Sequence, residues 1–103
     1  MPALSEAVEV RRAMGDYSSA LVLSNGLIER IEESIRPGSE GNLPLGLALL
    51  QRAELEIESD NPAPAISYLE TALPHLVYSL GEEHQHTQEA RTLLAAARDA
   101  SSN

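Results

Sequence analysis

Apolar residues recur at intervals of three and four along almost the whole chain, and clusters of glycine, proline, asparagine and aspartate interrupt the recurrence. A period near 3.6 marks amphipathic helices. The first segment, over 3–14, sets Leu4, Ala7, Val8 and Arg11 on one side and Ser5, Glu6, Glu9 and Arg12 on the other. Gly15-Asp16 then reads as a helix C-cap followed by a new N-cap. The second helix is predicted over 17–35, with Ala20, Leu21, Leu23, Leu27, Ile28, Ile31 and Ile35 recurring mostly at threes and fours. Asn25-Gly26 would signal a hairpin between strands, but the flanking period is helical. It reads as a weak spot inside the helix, the glycine costing about 1 kcal/mol against alanine.

Residues 36–42 combine two glycines, a proline and polar side chains and read as a loop. The third helix is predicted over 43–59, with Pro44 in its first turn. Leu45, Leu49, Leu50, Ala53 and Ile57 point inward, and Gln51, Glu54 and Glu58 outward. Asp60-Asn61-Pro62 restarts the chain as an N-cap with a proline at the first helical turn. The fourth helix, over 62–80, carries Ala65, Ile66, Leu69, Ala72, Leu73, Leu76, Val77 and Leu80, and its interior Pro74 predicts a bend or a lost hydrogen bond. After a turn at Gly81 the fifth helix spans 86–100, and the polar residues 101–103 are expected to fray. The fold class is therefore all-α, one domain over 1–103.

Five helices with short connections suit a bundle, but the punctuation also repeats. A shift of about 45 residues lays Ala20-Leu21 on Ala65-Ile66, Leu27-Ile28 on Ala72-Leu73, and Ile31 and Ile35 on Leu76 and Leu80. The same shift lays the first helix on the third and the third on the fifth. Repeated helix pairs that bury their stripes against neighbours form a solenoid.

Gly15-Asp16-Tyr17-Ser18-Ser19-Ala20-Leu21 with Leu27-Ile28 resembles the turn and second helix of tetratricopeptide repeats (TPR). Asp60-Asn61-Pro62 with Ala65-Ile66 and Ala72-Leu73 repeats it with Asp60 in place of the glycine and Pro62 in place of the tyrosine. Leu80-Gly81-Glu82-Glu83-His84 with Thr87 and Ala90 is similar to the long-loop repeats of kinesin light chains and many bacterial proteins, with Gln85 where that motif has proline. The resemblance covers nearly the whole chain, as two full units plus a terminal helix. It implies antiparallel helix pairs stacked in a right-handed superhelix, acting as a non-enzymatic scaffold for a protein or peptide partner. Similar segments often close the C-terminal repeat arrays of bacterial multidomain proteins, so the resemblance also implies a piece of a longer repeat protein.

Composition narrows the chemistry. The formal charge is −9, from 16 carboxylates against seven arginines and no lysine, a field that opposes nucleic acid and anionic membranes. Lysine-based Schiff-base and phosphate-loop chemistry is excluded. No cysteine is present, so disulfides, thiolate metal sites and thiol catalysis are excluded as well. The core is aliphatic, with three Tyr and no Phe or Trp. The longest nearly apolar run, over 43–50, is far too short for a bilayer span, and Glu6 and Glu9 give the start of the chain the wrong charge for a targeting peptide. A cytoplasmic protein without cofactors is expected.

His75, His84 and His86 with Glu82 and Glu83 suggest a metal site, but their spacing matches no recognised zinc pattern; the plainer reading gives His84 to the loop motif and the other two to surface or cap positions. Glu54, Glu56, Glu58 and Asp60 suggest paired catalytic carboxylates, but an alternating acidic run on an amphipathic helix reads as a solvated face. In the resembled family the first helix of each pair lines the partner groove. That implies partner-binding roles for Glu9 and Arg12 on the first helix and for Glu54, Ile57 and Glu58 on the third. A groove of this charge prefers a basic or amphipathic segment, although the same residues also read simply as solvated helix positions. At the start of the stack Leu4, Ala7, Val8 or their neighbours are expected to be exposed, to be covered by upstream repeats or by homodimerisation. The fifth helix, with Arg91, Arg98 and Asp99 beside Leu93, Leu94 and Ala97, reads as a closing cap. A small metal-binding or hydrolytic helical domain is the alternative of another class.

Overall fold

The protein is described by a computed structural model over residues 4–35 and 41–101. Within them it forms α1 Leu4–Ala13, α2 Tyr17–Ser34, α3 Leu43–Glu58, α4 Pro62–Leu80 and α5 Gln85–Ser101, with no strand among the described residues. The helix expected over 86–100 thus starts at Gln85 and includes Ser101. Of the expected loop over 36–42, only Gly41 and Asn42 are described, and Ser102 and Asn103 likewise lie outside the described residues. No described helix is long and apolar enough to cross a membrane.

The turn chemistry explains the boundaries. After α1 the Asp16 N–H donates to the Arg11 carbonyl at 2.9 Å and the Gly15 N–H to the Arg12 carbonyl at 3.0 Å, with Gly15 at φ 76°. These two bonds make a Schellman stop, whose left-handed residue is normally glycine. Asp16 then caps α2, its carboxylate accepting the Ser19 N–H at 3.3 Å. Hydrogen bonding from the Ser19 side chain, and second from its N–H, favours the ionised form and holds the Asp16 carboxyl below its ordinary range. After α3 the same stop recurs: Asn61 N–H to Glu56 carbonyl at 2.8 Å and Asp60 N–H to Ile57 carbonyl at 3.1 Å. Here Asp60 stands at φ 64° where the first turn has glycine. Asn42 caps α3 by accepting the Leu45 N–H at 2.8 Å, and its own N–H donates to His75 Nδ1 at 2.9 Å, fixing this end of α3 on α4. α4 continues through Pro74 as one helix, with the proline on the exposed side.

Helices in contact across turns this short must reverse direction, so α1 and α2, α3 and α4, and α4 and α5 each pack as antiparallel neighbours. α2 also packs on α3, and α5 touches α3. One cluster joins Ile28, Leu45, Leu49, Leu69, Leu76 and Leu94 around Ala48, Ala53, Ala65, Ala72, Ala90 and Ala97. A smaller one joins Val8, Ala20 and Leu55. Each fully buried Leu contributes about 1.5–3 kcal/mol, and the alanines let the helix axes approach closely. α3 and α4 approach closely at Gly46, where a Cβ would lie 3.1 Å from His75 Cβ and 3.2 Å from Leu76 Cδ2.

One expectation is narrowed and two are corrected. Val8 is fully buried, and Leu4 and Ala7 are half-buried; the large apolar residues exposed among those described are Val10, Met14, Val22 and Tyr78. On α1, Arg11 is exposed while Arg12 is drawn inward, the reverse of the sides assigned to them by periodicity. The acidic run is also not one solvated face, because Glu56 is buried. Arg52 Nε donates to Glu56 Oε1 at 2.9 Å, Arg52 Nη1 donates to the Leu21 carbonyl at 3.2 Å and to Asn25 Oδ1, and Asn61 Nδ2 donates to Glu56 Oε2 at 3.1 Å. The Arg52 guanidinium lies 5.2 Å from the Tyr68 ring centre. Asn25, read as part of a weak spot, is thus a partner in a part-buried network that joins α2, α3 and α4 around the buried Arg52–Glu56 pair.

Two stability tests follow from these contacts. Glu56→Ala leaves Arg52 buried and unpaired and is expected to cost about 3–5 kcal/mol in urea unfolding; a loss below about 1 kcal/mol is incompatible with the network. Asp60→Val forces a β-branched residue into the left-handed region and is expected to cost about 1–2 kcal/mol, while Asp60→Asn stays within about 0.5 kcal/mol. Equal losses for both would contradict the turn geometry.

Candidate functional site: an acidic cleft across three helices

α1, α3 and α5 lie along one side of the fold. α1 is tied to α3 by Gln51 Nε2, which donates to the Ser5 carbonyl at 3.2 Å, and by Arg12, which reaches the carboxylates of Glu54 and Glu58. Where the three helices meet, an open cleft of about 710 Å³ is lined by Arg12 from α1, Glu54, Ile57 and Glu58 from α3, and Gln85, Gln88, Glu89, Thr92 and Leu93 from α5. The lining follows from helical register. On α5 the stripe Thr87, Ala90, Leu94 and Ala97 is buried, which turns Gln85, Gln88, Glu89 and Thr92 away from the core, with Leu93 half-buried at the cleft's apolar floor.

Arg12 is the hub of the site. Its Nε donates to Glu58 Oε1 at 3.0 Å and its Nη2 to the other Glu58 oxygen; Nη2 lies 2.9 Å from Glu54 Oε2, and Nη1 donates to Glu9 Oε2 at 3.2 Å. The bonds to Glu58 form a bidentate fork, the stronger form of the arginine–carboxylate pair. They are the main cause that raises the Arg12 pKa, against the opposing effect of burial. Glu54 behaves differently: burial pushes its carboxyl up, and the attraction of Arg12 does not fully compensate, while Glu89 and Glu9 add repulsion. The two shifts are consistent, because Arg12 spends its fork on Glu58 and gives Glu54 a single contact. Four carboxylates, Glu9, Glu54, Glu58 and Glu89, therefore surround one guanidinium beside Ile57 and Leu93.

Of the residues proposed from sequence, Arg12, Glu54, Ile57 and Glu58 line the cleft together, and Glu9 stands beside it in contact with Arg12. The contribution of α5 was not legible, since that helix reads as a cap when its sequence is taken alone. The signal for it is the polar stripe at 85, 88 and 92, opposite the buried one. The histidines are elsewhere. His75 holds Asn42, and His84 caps α5 by accepting the His86 N–H on its Nδ1 at 3.1 Å, with the two rings 5.2 Å apart. Among the described residues no three His, Asp or Glu side chains converge as a metal-ligand set.

Chemically, the cleft offers an apolar floor, amide and hydroxyl groups on one wall, and excess negative charge. Compared with protein-family models, curated proteins and solved structures, the chain gives no significant match.

The Glu54 shift has a testable sign. A carboxyl whose folded-state pKa is raised binds its proton more tightly when folded, so its ionisation destabilises the fold as pH rises through the carboxylate range. Glu54→Gln removes that cost. The difference in Tm between Glu54→Gln and the parent chain is expected to be more positive at neutral pH than at about pH 3, where both side chains are uncharged. A difference that falls as pH rises would show that Arg12 outweighs burial.

Proposed function

We propose that the chain is a non-enzymatic protein-interaction module of TPR-like architecture that receives a basic, amphipathic peptide segment in the cleft between α1, α3 and α5. The observation that carries the proposal is the composition of that cleft: carboxylates in excess over Arg12, placed around the apolar surface of Ile57 and Leu93. A segment with an apolar residue next to an arginine or lysine satisfies both parts. Its cation meets Glu54 together with Glu89 and Glu9, which both repel Glu54, and complementary charge of this kind sets specificity and association rate more than raw affinity.

The repeat reading has its own support. The two Schellman stops at Gly15 and Asp60 fall about 45 residues apart, the shift that superimposes the sequence pattern. α1 and α2 precede one stop and follow it as α3 and α4 do the other. α1, α3 and α5, the first helices of successive pairs, are the ones that line the cleft.

The test is calorimetric titration with an amphipathic peptide of alternating leucine and arginine, against an equally apolar peptide with glutamate in place of arginine. Binding of the basic peptide only is expected, with the double variant Glu54→Arg/Glu58→Arg weakening it at least tenfold, about 1.4 kcal/mol. Equal affinity for both peptides, or capture unaffected by the double reversal, would rule the cleft out as an acidic peptide site.

A further inference from the structure

A second groove lies between α4 and α5, away from the cleft. It is lined by Leu73, Pro74, Val77 and Tyr78 of α4 and Leu94 of α5, with Glu70, Arg91 and Arg98 along its edges. Tyr78 packs against Gly41 on one side and still keeps 66% of its surface in solvent.

The internal repeat says what shape of object fits there. The groove between α2 and α3 is lined by Ile28, Glu29, Glu32 and Leu49, and α4 lays Ser67, Tyr68 and Thr71 along it. Moved by about 45 residues, those four lining positions become Leu73, Pro74, Val77 and Leu94. The α4/α5 groove is therefore the next copy of a groove that this fold flanks with a helix. It is also the more apolar of the two, since Pro74 and Val77 replace Glu29 and Glu32.

Charge identifies the helix. The chain carries −9, so a second copy is repelled over most of its surface. On this face the balance is even: Arg98 pairs with Glu70 at 3.2 Å, and Arg91 with Glu82 at 2.8 Å, all exposed. The acids stand on α4 and the turn after it, the bases on α5, with the apolar strip between them. A two-fold rotation sets each acidic row opposite a basic one, the self-complementarity that an isologous contact requires. Glu70, Pro74 and Tyr78, spaced four apart on α4, form the ridge that enters the partner's groove. We infer that the α4/α5 groove is a two-fold homodimer interface in which α4 of each copy occupies the groove of the other.

Exchangeable charges make the inference testable. Arg98→Glu gives an entirely acidic pair of edge residues with Glu70, and Glu70→Arg an entirely basic one with Arg98; each then opposes itself but complements the other. Sedimentation equilibrium of the full chain from micromolar to millimolar concentration is expected to show the parent mass rising from 11.1 kDa toward about twice that value. Each reversed variant is expected to stay at the single-chain mass, and their equimolar mixture to regain the dimer. Glu33→Arg on α2, outside the groove, serves as control and is expected to dimerise like the parent, and helical circular dichroism verifies that each variant is folded. A parent that stays monomeric throughout, a mass that grows past the dimer, reversed variants that still dimerise, or a mixture that fails to recombine would each overturn the proposal. None of these results bears on the peptide cleft, which lies on other residues.

Discussion

The enclosure of α3 is the constraint on which the rest of the structure depends. This helix packs against α2, α4 and α5 and is hydrogen-bonded to α1, so nearly every direction around it belongs to a neighbour. Leu45, Leu49 and Ala53 serve the large cluster and Leu55 the small one, while Gly46 lets α4 approach. The stripe Pro44, Leu47, Gln51, Glu54 and Glu58, with Leu43 and Ile57 at its edges, stays at least partly open. The cleft is the far end of that stripe. Its position is thus a by-product of packing: solvent reaches α3 only along the side where α1 and α5 flank it.

An enclosed helix with charged residues must settle them internally or turn them outward, and α3 does both. Arg52 and Glu56 are kept inside by partners from α2 and α4, including a carbonyl, two asparagines and a tyrosine ring. Such a network adds little net stability over apolar packing, but it tolerates only one relative placement of the three helices. Glu54 and Glu58 are turned outward and meet Arg12 from α1. One arginine from a neighbouring helix thus organises the rim of the cleft, and one arginine of α3 itself locks the layer behind it.

The two faces proposed for binding differ in the same physical terms. The cleft between α1, α3 and α5 has unbalanced charge, the feature on which the peptide proposal rests. The groove between α4 and α5 has balanced charge and more apolar surface, the features on which the homodimer proposal rests. A protein with no lysine and only seven arginines has few ways to neutralise a surface, so where the arginines sit decides what each face can meet.

The amino-acid sequence by itself determined what depends on residues close together along the chain. Helix periodicity, the stop at Gly15 and the cap at Asp16 are local, because backbone hydrogen bonds and side-chain spacing act within one or two turns. The grouping of Arg12, Glu54, Ile57 and Glu58 comes from the family resemblance, and periodicity alone sets Arg12 on the wrong side of α1. The tertiary structure alone decided the rest. Glu54, Glu56 and Glu58 are the same residue type at alternate positions, yet one is buried in a salt bridge, one is strained by burial at the cleft and one holds a fork with Arg12. Their fates differ because each turn of the helix faces a different neighbour, and which helix is the neighbour is set by contacts between residues dozens of positions apart. For the same reason the wall that α5 gives to the cleft, and the groove it leaves with α4, became visible only in the folded chain.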